Sequence, residues 1–153
     1  MSIAQILEHE HQSIDGRLAA FVAGLDEGEV RADDVRASAA ELRRHIHVEE
    51  VHVFPRLRQA GMIPPVLVML REHGLIWDTL DGIDRLLSDD AHDVAALRTQ
   101  CDRLTEQLEA HNMKEERILY PAADDTLDAD GVASVEAALR DEMPPGWRAE
   151  MAS

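Results

Sequence analysis

Aromatic residues are scarce in this sequence: two Trp, two Phe and one Tyr, 3% of 153 residues. Rings cannot fill the core, which must come from Leu, Ile, Val, Ala and Met, the palette of packed helices. Cysteine is nearly missing too. Cys101 stands alone, which excludes an internal disulfide; its place in an apolar repeat marks a small buried side chain, and the compartment reads as reducing and cytoplasmic. No apolar run approaches the roughly 18 residues of a membrane span, and the opening "MSIAQILEHEHQ" meets charge too early for a signal peptide. Basic residues number 15 against 31 acidic ones, a formal charge of -16, which argues against nucleic acid or an anionic membrane as partner.

What is present is apolar periodicity. The length suits a single domain over residues 1–153 that folds without staples. Ile3, Leu7, His11, Ile14, Leu18, Phe21 and Leu25 recur at steps of three and four, after a capping box of Ser2 and Gln5, and predict a first helix over about 3–25. Asp33 or Asp34 can cap a second, with Val35, Ala39, Leu42, His45, Glu49, His52 or Val53, and Leu57 on one face and a kink at Pro55. Pro64 and Pro65 suit the first turn of a third, with Val66, Leu70, His73, Trp77, Leu80 and Leu87. A fourth carries Val94, Leu97, Cys101, Leu104, Leu108, His111, Glu115 and Ile118 until Pro121 and "DDTLDADG" stop it. Short connections between such helices predict an all-α, antiparallel up-down-up-down four-helix bundle over about 3–121. The extension over about 122–153 holds a short helix at "VASVEAALRDEM" and a tail expected to cover a bundle end or fray.

Four His and two Glu break these apolar stripes near the same height. Two buried carboxylates without partners would cost several kcal/mol each, so a core free of cations would not select them. The elements come in pairs: "EHQSI" (Glu10–Ile14) is answered by "EHGLI" (Glu72–Ile76), and "HIHVEEVHVFP" (His45–Pro55) by "HNMKEERILYP" (His111–Pro121). His followed four residues later by Glu is offset by about 40° and one turn, so His45 with Glu49 and His111 with Glu115 can each reach one interior point. His11 and His73 face them from the other two helices. Imidazole and carboxylate without thiolate favour iron, manganese or zinc, and a carboxylate-bridged octahedral pair suits iron or manganese better than tetrahedral zinc. Two such ions offer about twelve positions and these side chains fill about eight, which leaves room for an exogenous ligand.

At these residues the chain resembles the hemerythrin-like, His-His-Glu cation-binding family of non-haem diiron four-helix bundles. The resemblance implies a metal set of His11, His45, Glu49, His73, His111 and Glu115 holding two iron ions, with manganese or zinc less suited, and a small partner such as O2, peroxide or nitric oxide. It identifies no protein or redox partner. Oxygen-carrying members have a second His one turn after the third-helix His, where this chain has Trp77, and their last carboxylate falls at the position of Glu116. Helix geometry and the internal repeat favour Glu115. The missing imidazole points away from simple oxygen carriage, toward reaction with peroxide or nitric oxide, or toward iron or oxygen sensing.

Other polar residues invite narrower expectations. His52 is either a further ligand or partner of the site, or a half-buried residue at a helix boundary. Phe54 and Tyr120 hold equivalent repeat positions and are expected to pack at the bundle end, with the Tyr120 hydroxyl a candidate neighbour of the metals. His9 and His47 lie about 200° around their helices from His11 and His45 and are expected to face solvent; His92 falls in a loop. A ferritin-like carboxylate site for iron storage would use Glu-x-x-His pairs, which Glu8 with His11 and Glu49 with His52 supply and the repeat does not duplicate.

Overall fold

The computed structural model describes residues 1–153 and is all-helical, with no strand. Helix α1 spans Ile3–Asp26, α2 Ala32–Val48, α3 Phe54–Gln59, α4 Ile63–Leu87, α5 Val94–Lys114, α6 Tyr120–Thr126 and α7 Ala129–Arg140. Single π-helical turns at Glu49–Val53 and Glu115–Leu119 join α2 to α3 and α5 to α6. Helix α1 packs along α2 and α4 along α5, while α1 also meets α5 and α2 meets α4, which closes a helical bundle.

Caps explain most boundaries. Ser2 Oγ accepts from the Gln5 amide at 3.1 Å and Gln5 Oε1 from the Ser2 amide at 2.9 Å, the capping box read from the sequence. Asp93 and Asp128 cap α5 and α7 through Ala96 and Gly131. Helix α7 therefore starts at Ala129, three residues before the run that predicted it. The cap of α2 differs from expectation: Arg31 holds that position without a side-chain bond, and Asp33 and Asp34 lie inside the first turn, where negative charge suits the helix dipole.

Pro121 does not stop its helix as predicted, while the helix at Pro55 runs on past the proline, as expected. Pro55 and Pro121 bring no N–H to the ladder, and the turn before each widens. The Phe54 amide bonds back to Glu49 O and the Tyr120 amide to Glu115 O, five residues instead of four. The helix then continues, so Pro121 does not end it. The extra residue also shifts the inward face: Leu119 is buried and Ile118, expected in the stripe, is 50% exposed. Val94, expected to open that stripe, is exposed in the first turn of α5.

The core falls into two apolar clusters. One includes Ile14, Leu18, Phe21, Leu42, Ile46, Ile76, Leu80, Cys101, Leu104 and Leu108; the other Ile3, Leu7, Val48, Phe54, Leu70, Leu119 and Tyr120. His11, His45, His73 and His111 fall between cluster members on their helices, so a polar layer divides the core. The C-terminal tail covers no bundle end. It lies against α4, with Trp147 edge-on to Trp77 at 5.5 Å and to His47 at 4.6 Å. No helix is long and apolar enough to cross a membrane.

Candidate metal centre

Each half of the bundle brings two imidazoles together. His11 from α1 and His45 from α2 have ring centroids 4.8 Å apart at 53°; His73 from α4 and His111 from α5 repeat this at 4.8 Å and 54°. All four direct Nε2 at two fully buried carboxylates. His45 and His73 approach Glu49 Oε1 at 3.3 Å each, and His11 and His111 approach Glu115 Oε1 at 3.3 and 3.2 Å. The near-twofold pattern of the sequence repeat is thus a near-twofold pattern of atoms, with both carboxylates at the start of a π turn.

The outward Nδ1 atoms meet a second set of carboxylates, of which sequence reasoning names only Glu116 as a candidate for the site. His73 Nδ1–H donates to Glu50 Oε2 at 2.8 Å and His111 Nδ1–H to Glu72 Oε1 at 2.9 Å. Lys114 holds the other oxygen of Glu72. In the other half, Glu10 stands 4.0 Å from His45 Nδ1 and Glu116 3.7 Å from His11 Nδ1, too far for hydrogen bonds. An Nδ1–H committed outward leaves the Nε2 lone pair for an ion within. The signal was available: Glu10 and Glu72 precede the repeated His, and Glu50 and Glu116 follow the repeated Glu. Read as surface charge, Glu50, the second letter of the first doubled acid, passes unnoticed.

Tyr120 reaches the centre instead of the bundle end. Its hydroxyl donates to Glu49 Oε2 at 2.8 Å and lies 2.9 Å from His11 Nε2 and 3.2 Å from Glu115 Oε1. Its counterpart Phe54 stacks on His73 at 5.3 Å, with no polar atom to offer. One half of the centre is therefore more polar than the other.

Electrostatics in this buried layer favour positive charge. Burial lowers the affinity of His11 for a proton, but the hydrogen bond and charge of Glu115 reverse this and lift its pKa to about 9. Burial likewise opposes the charged forms of His73 and His111, and the surrounding carboxylates, Glu115 foremost, raise both. Burial alone would raise Glu115, yet His111, His11 and His73 together hold it well below the usual carboxylate range. Burial, then the charges of Glu115 and Glu49, push the Tyr120 phenol far up, so it stays a donor.

The donor set fits a cation. Glu49 Oε1, His73 Nε2 and Glu115 Oε2 are buried without a hydrogen-bond partner, an arrangement that is costly unless something else binds there. Ligand atoms of Glu49, His73, His111 and Glu115 lie within 4.8 Å of one another, and so do those of His11, His45 and Glu115. Each group could hold a metal ion, and Glu115 belongs to both. The absence of thiolate and the mix of imidazole with carboxylate suit iron, manganese or zinc.

The remaining candidates lie outside these groups. Glu116 is part-exposed and faces the outer nitrogen of His11. His52 points away from the centre, 6.5 Å from the ring of His47, because the π turn carries Val53 inward in its place. His47, expected in solvent, is buried against Trp147, a consequence of the docked tail. His9 is exposed as expected, and His92 bonds to Leu87 O at 3.3 Å. Neither Glu8 nor His52 joins a ligand group, so the Glu-x-x-His pairs of a ferritin-like site do not assemble. Trp77 is buried under Arg43, whose guanidinium lies 5.3 Å from its ring. A groove of about 850 Å³ between α1 and α5 has His11, Asp15, Glu116 and Ala23 in its lining.

Compared with known protein families, the chain matches the hemerythrin HHE cation binding domain over residues 2–123. No curated protein and no solved structure matches it.

Proposed function

The chain belongs to the hemerythrin HHE cation-binding family, and from that premise we propose that it holds two iron ions and binds or reacts with peroxide, nitric oxide or O2. The observation that carries this reading is Glu115, fully buried and shared by both groups of ligand atoms. His73, His111, Glu49 and Glu115 would hold one ion and His11, His45 and Glu115 the other, and Glu49 Oε1 also lies 3.3 Å from His45 Nε2. The packing of α1 on α2 and α4 on α5 supports an antiparallel up-down-up-down arrangement as the scaffold.

Bound iron would supply redox equivalents and a position open to a small ligand. The protein's own contribution is positional and electrostatic. Glu50 and Glu72 fix two imidazoles by their outer N–H groups, and the flanking apolar clusters exclude bulk water. The Tyr120 hydroxyl is a fixed donor within hydrogen-bond reach of the centre. The α1–α5 groove, with His11 in its wall, is the route for a diatomic molecule or peroxide. With Trp77 packed among apolar side chains, no further imidazole from α4 is there to crowd the centre.

The test is to load the protein anaerobically with ferrous iron and follow optical spectra and ligand consumption after adding peroxide, nitric oxide or O2. Rapid spectral change with peroxide or nitric oxide, slowed when Ala23→Trp narrows the groove, is the expected result. A stable, fully reversible spectrum with O2 and no response to the other two would restore simple oxygen carriage.

A further inference from the structure

Glu50 joins the centre to the C-terminal tail. Its two oxygens face different partners: Oε2 accepts from His73 Nδ1 at 2.8 Å, and Oε1 accepts from the Glu150 backbone N–H at 3.0 Å. The Glu50 side chain is only 5% exposed. Around this contact the tail is seated along one face of α4. Gly74, the residue after His73, leaves room for the tail backbone, since a Cβ there would stand 2.3 Å from Met151 O. One turn on, Trp77 meets Trp147, and Asp78 accepts from the amide and hydroxyl of Ser153 at 2.9 and 2.8 Å. Asp81 accepts from Arg148 at 2.9 Å, and Ala149 is buried in the core. Positions 74, 77, 78 and 81 share a helix face by their spacing.

We propose that Glu50 is a positioning residue for His73, that the docked tail holds it in place, and that metal loading and tail docking therefore strengthen each other. A carboxylate can accept two hydrogen bonds at once, one at each oxygen; the amide of glutamine has one acceptor oxygen. With His73 Nε2 fixed on an ion, its Nδ1 must be the protonated nitrogen, which strengthens the bond to Glu50 and sets the other oxygen to receive Glu150 N–H. Release of the tail frees Glu50 to turn toward solvent and leaves His73 Nδ1–H without its acceptor. The coupling is reciprocal, so the factor by which iron stabilises the docked tail equals the factor by which the docked tail strengthens iron binding. The inference rests on His73 being a ligand, as proposed above.

The experiment is hydrogen exchange at residues 147–153 of the full chain, without metal and after anaerobic loading with ferrous iron, together with iron affinities of three variants. By that reciprocity, loading should raise protection of these amides by about tenfold, the low end of the affinity loss when an outer partner of a metal ligand is removed. Gly74→Ala, which obstructs the tail, and Asp78→Ala, which removes an anchor further from the centre, should each weaken iron binding while the other ligands stay in place. Asp78→Ala and the exchange data decide the matter if Gly74→Ala does not fold. Glu50→Gln should abolish the dependence of tail protection on iron. Iron uptake with the same tail protection in both states overturns the coupling alone; no iron uptake by the unmodified chain overturns the diiron reading and the coupling together.

Discussion

The Tyr120 hydroxyl donates to Glu49 Oε2 at 2.8 Å, although the two residues lie on different helices 71 positions apart. Each stands at one end of a π turn or its twin: Glu49 opens the first, and Tyr120 follows the second. Five residues on from a buried Glu, the wider turn aims a ring inward, and in one copy that ring carries a hydroxyl.

Tyr120→Phe removes a neutral donor from a buried charged acceptor. The metal-free protein should lose about 1.5–3 kcal/mol of stability, the range for hydrogen bonds to charged groups. Urea unfolding without metal measures this, and iron stoichiometry should be unaffected. An unchanged unfolding midpoint would mean that the hydroxyl does not hold Glu49.

The register of the second π turn is tested at two adjacent apolar residues. Leu119→Ala should cost about 2–4 kcal/mol as a buried truncation, and Ile118→Ala less than about 0.5 kcal/mol. The reverse order would restore the uninterrupted helix that the sequence period predicts.

That pair also shows where the sequence was legible and where it was not. Helix stripes, the capping box and the heights of His11, His45, His73 and His111 follow from local rules with periods of three and four. The π turns do not, because the widening depends on a proline and on a neighbouring helix that takes the displaced residue. His47 was assigned to solvent by its angle around α2, and no local rule foretells that Trp147, 100 residues away, covers it. Tyr120 was expected to pack at the bundle end with its hydroxyl a candidate neighbour of the metals, and the hydroxyl does reach the centre. Glu50 and Glu72 were visible as repeated letters, but a charged residue beside a ligand looks like any solvated surface acid until its partner is seen.

Two neighbouring glutamates should separate cleanly in metal analysis. Glu115→Ala removes the carboxylate common to both ligand groups and should bring iron content below about one ion per chain, whereas Glu116→Ala should retain it. Equal loss in both variants would make Glu116 a ligand as well.

Cys101 is buried in the core, and burial, then the charge of Asp102, push its thiol up to about 11. At pH 8 only ~10⁻³ of it is thiolate, so alkylating reagents should label the native protein slowly and the unfolded protein fast. Rapid labelling of native protein would show that this end of the bundle opens.

Anaerobic titration of the metal-free chain with ferrous iron is the most direct measurement of all. Two ions should bind per chain, with the second lost together with the first in Glu115→Ala. Saturation at one ion or fewer would contradict a shared-carboxylate centre, and with it the reading of the doubled sequence motif as two halves of one metal site.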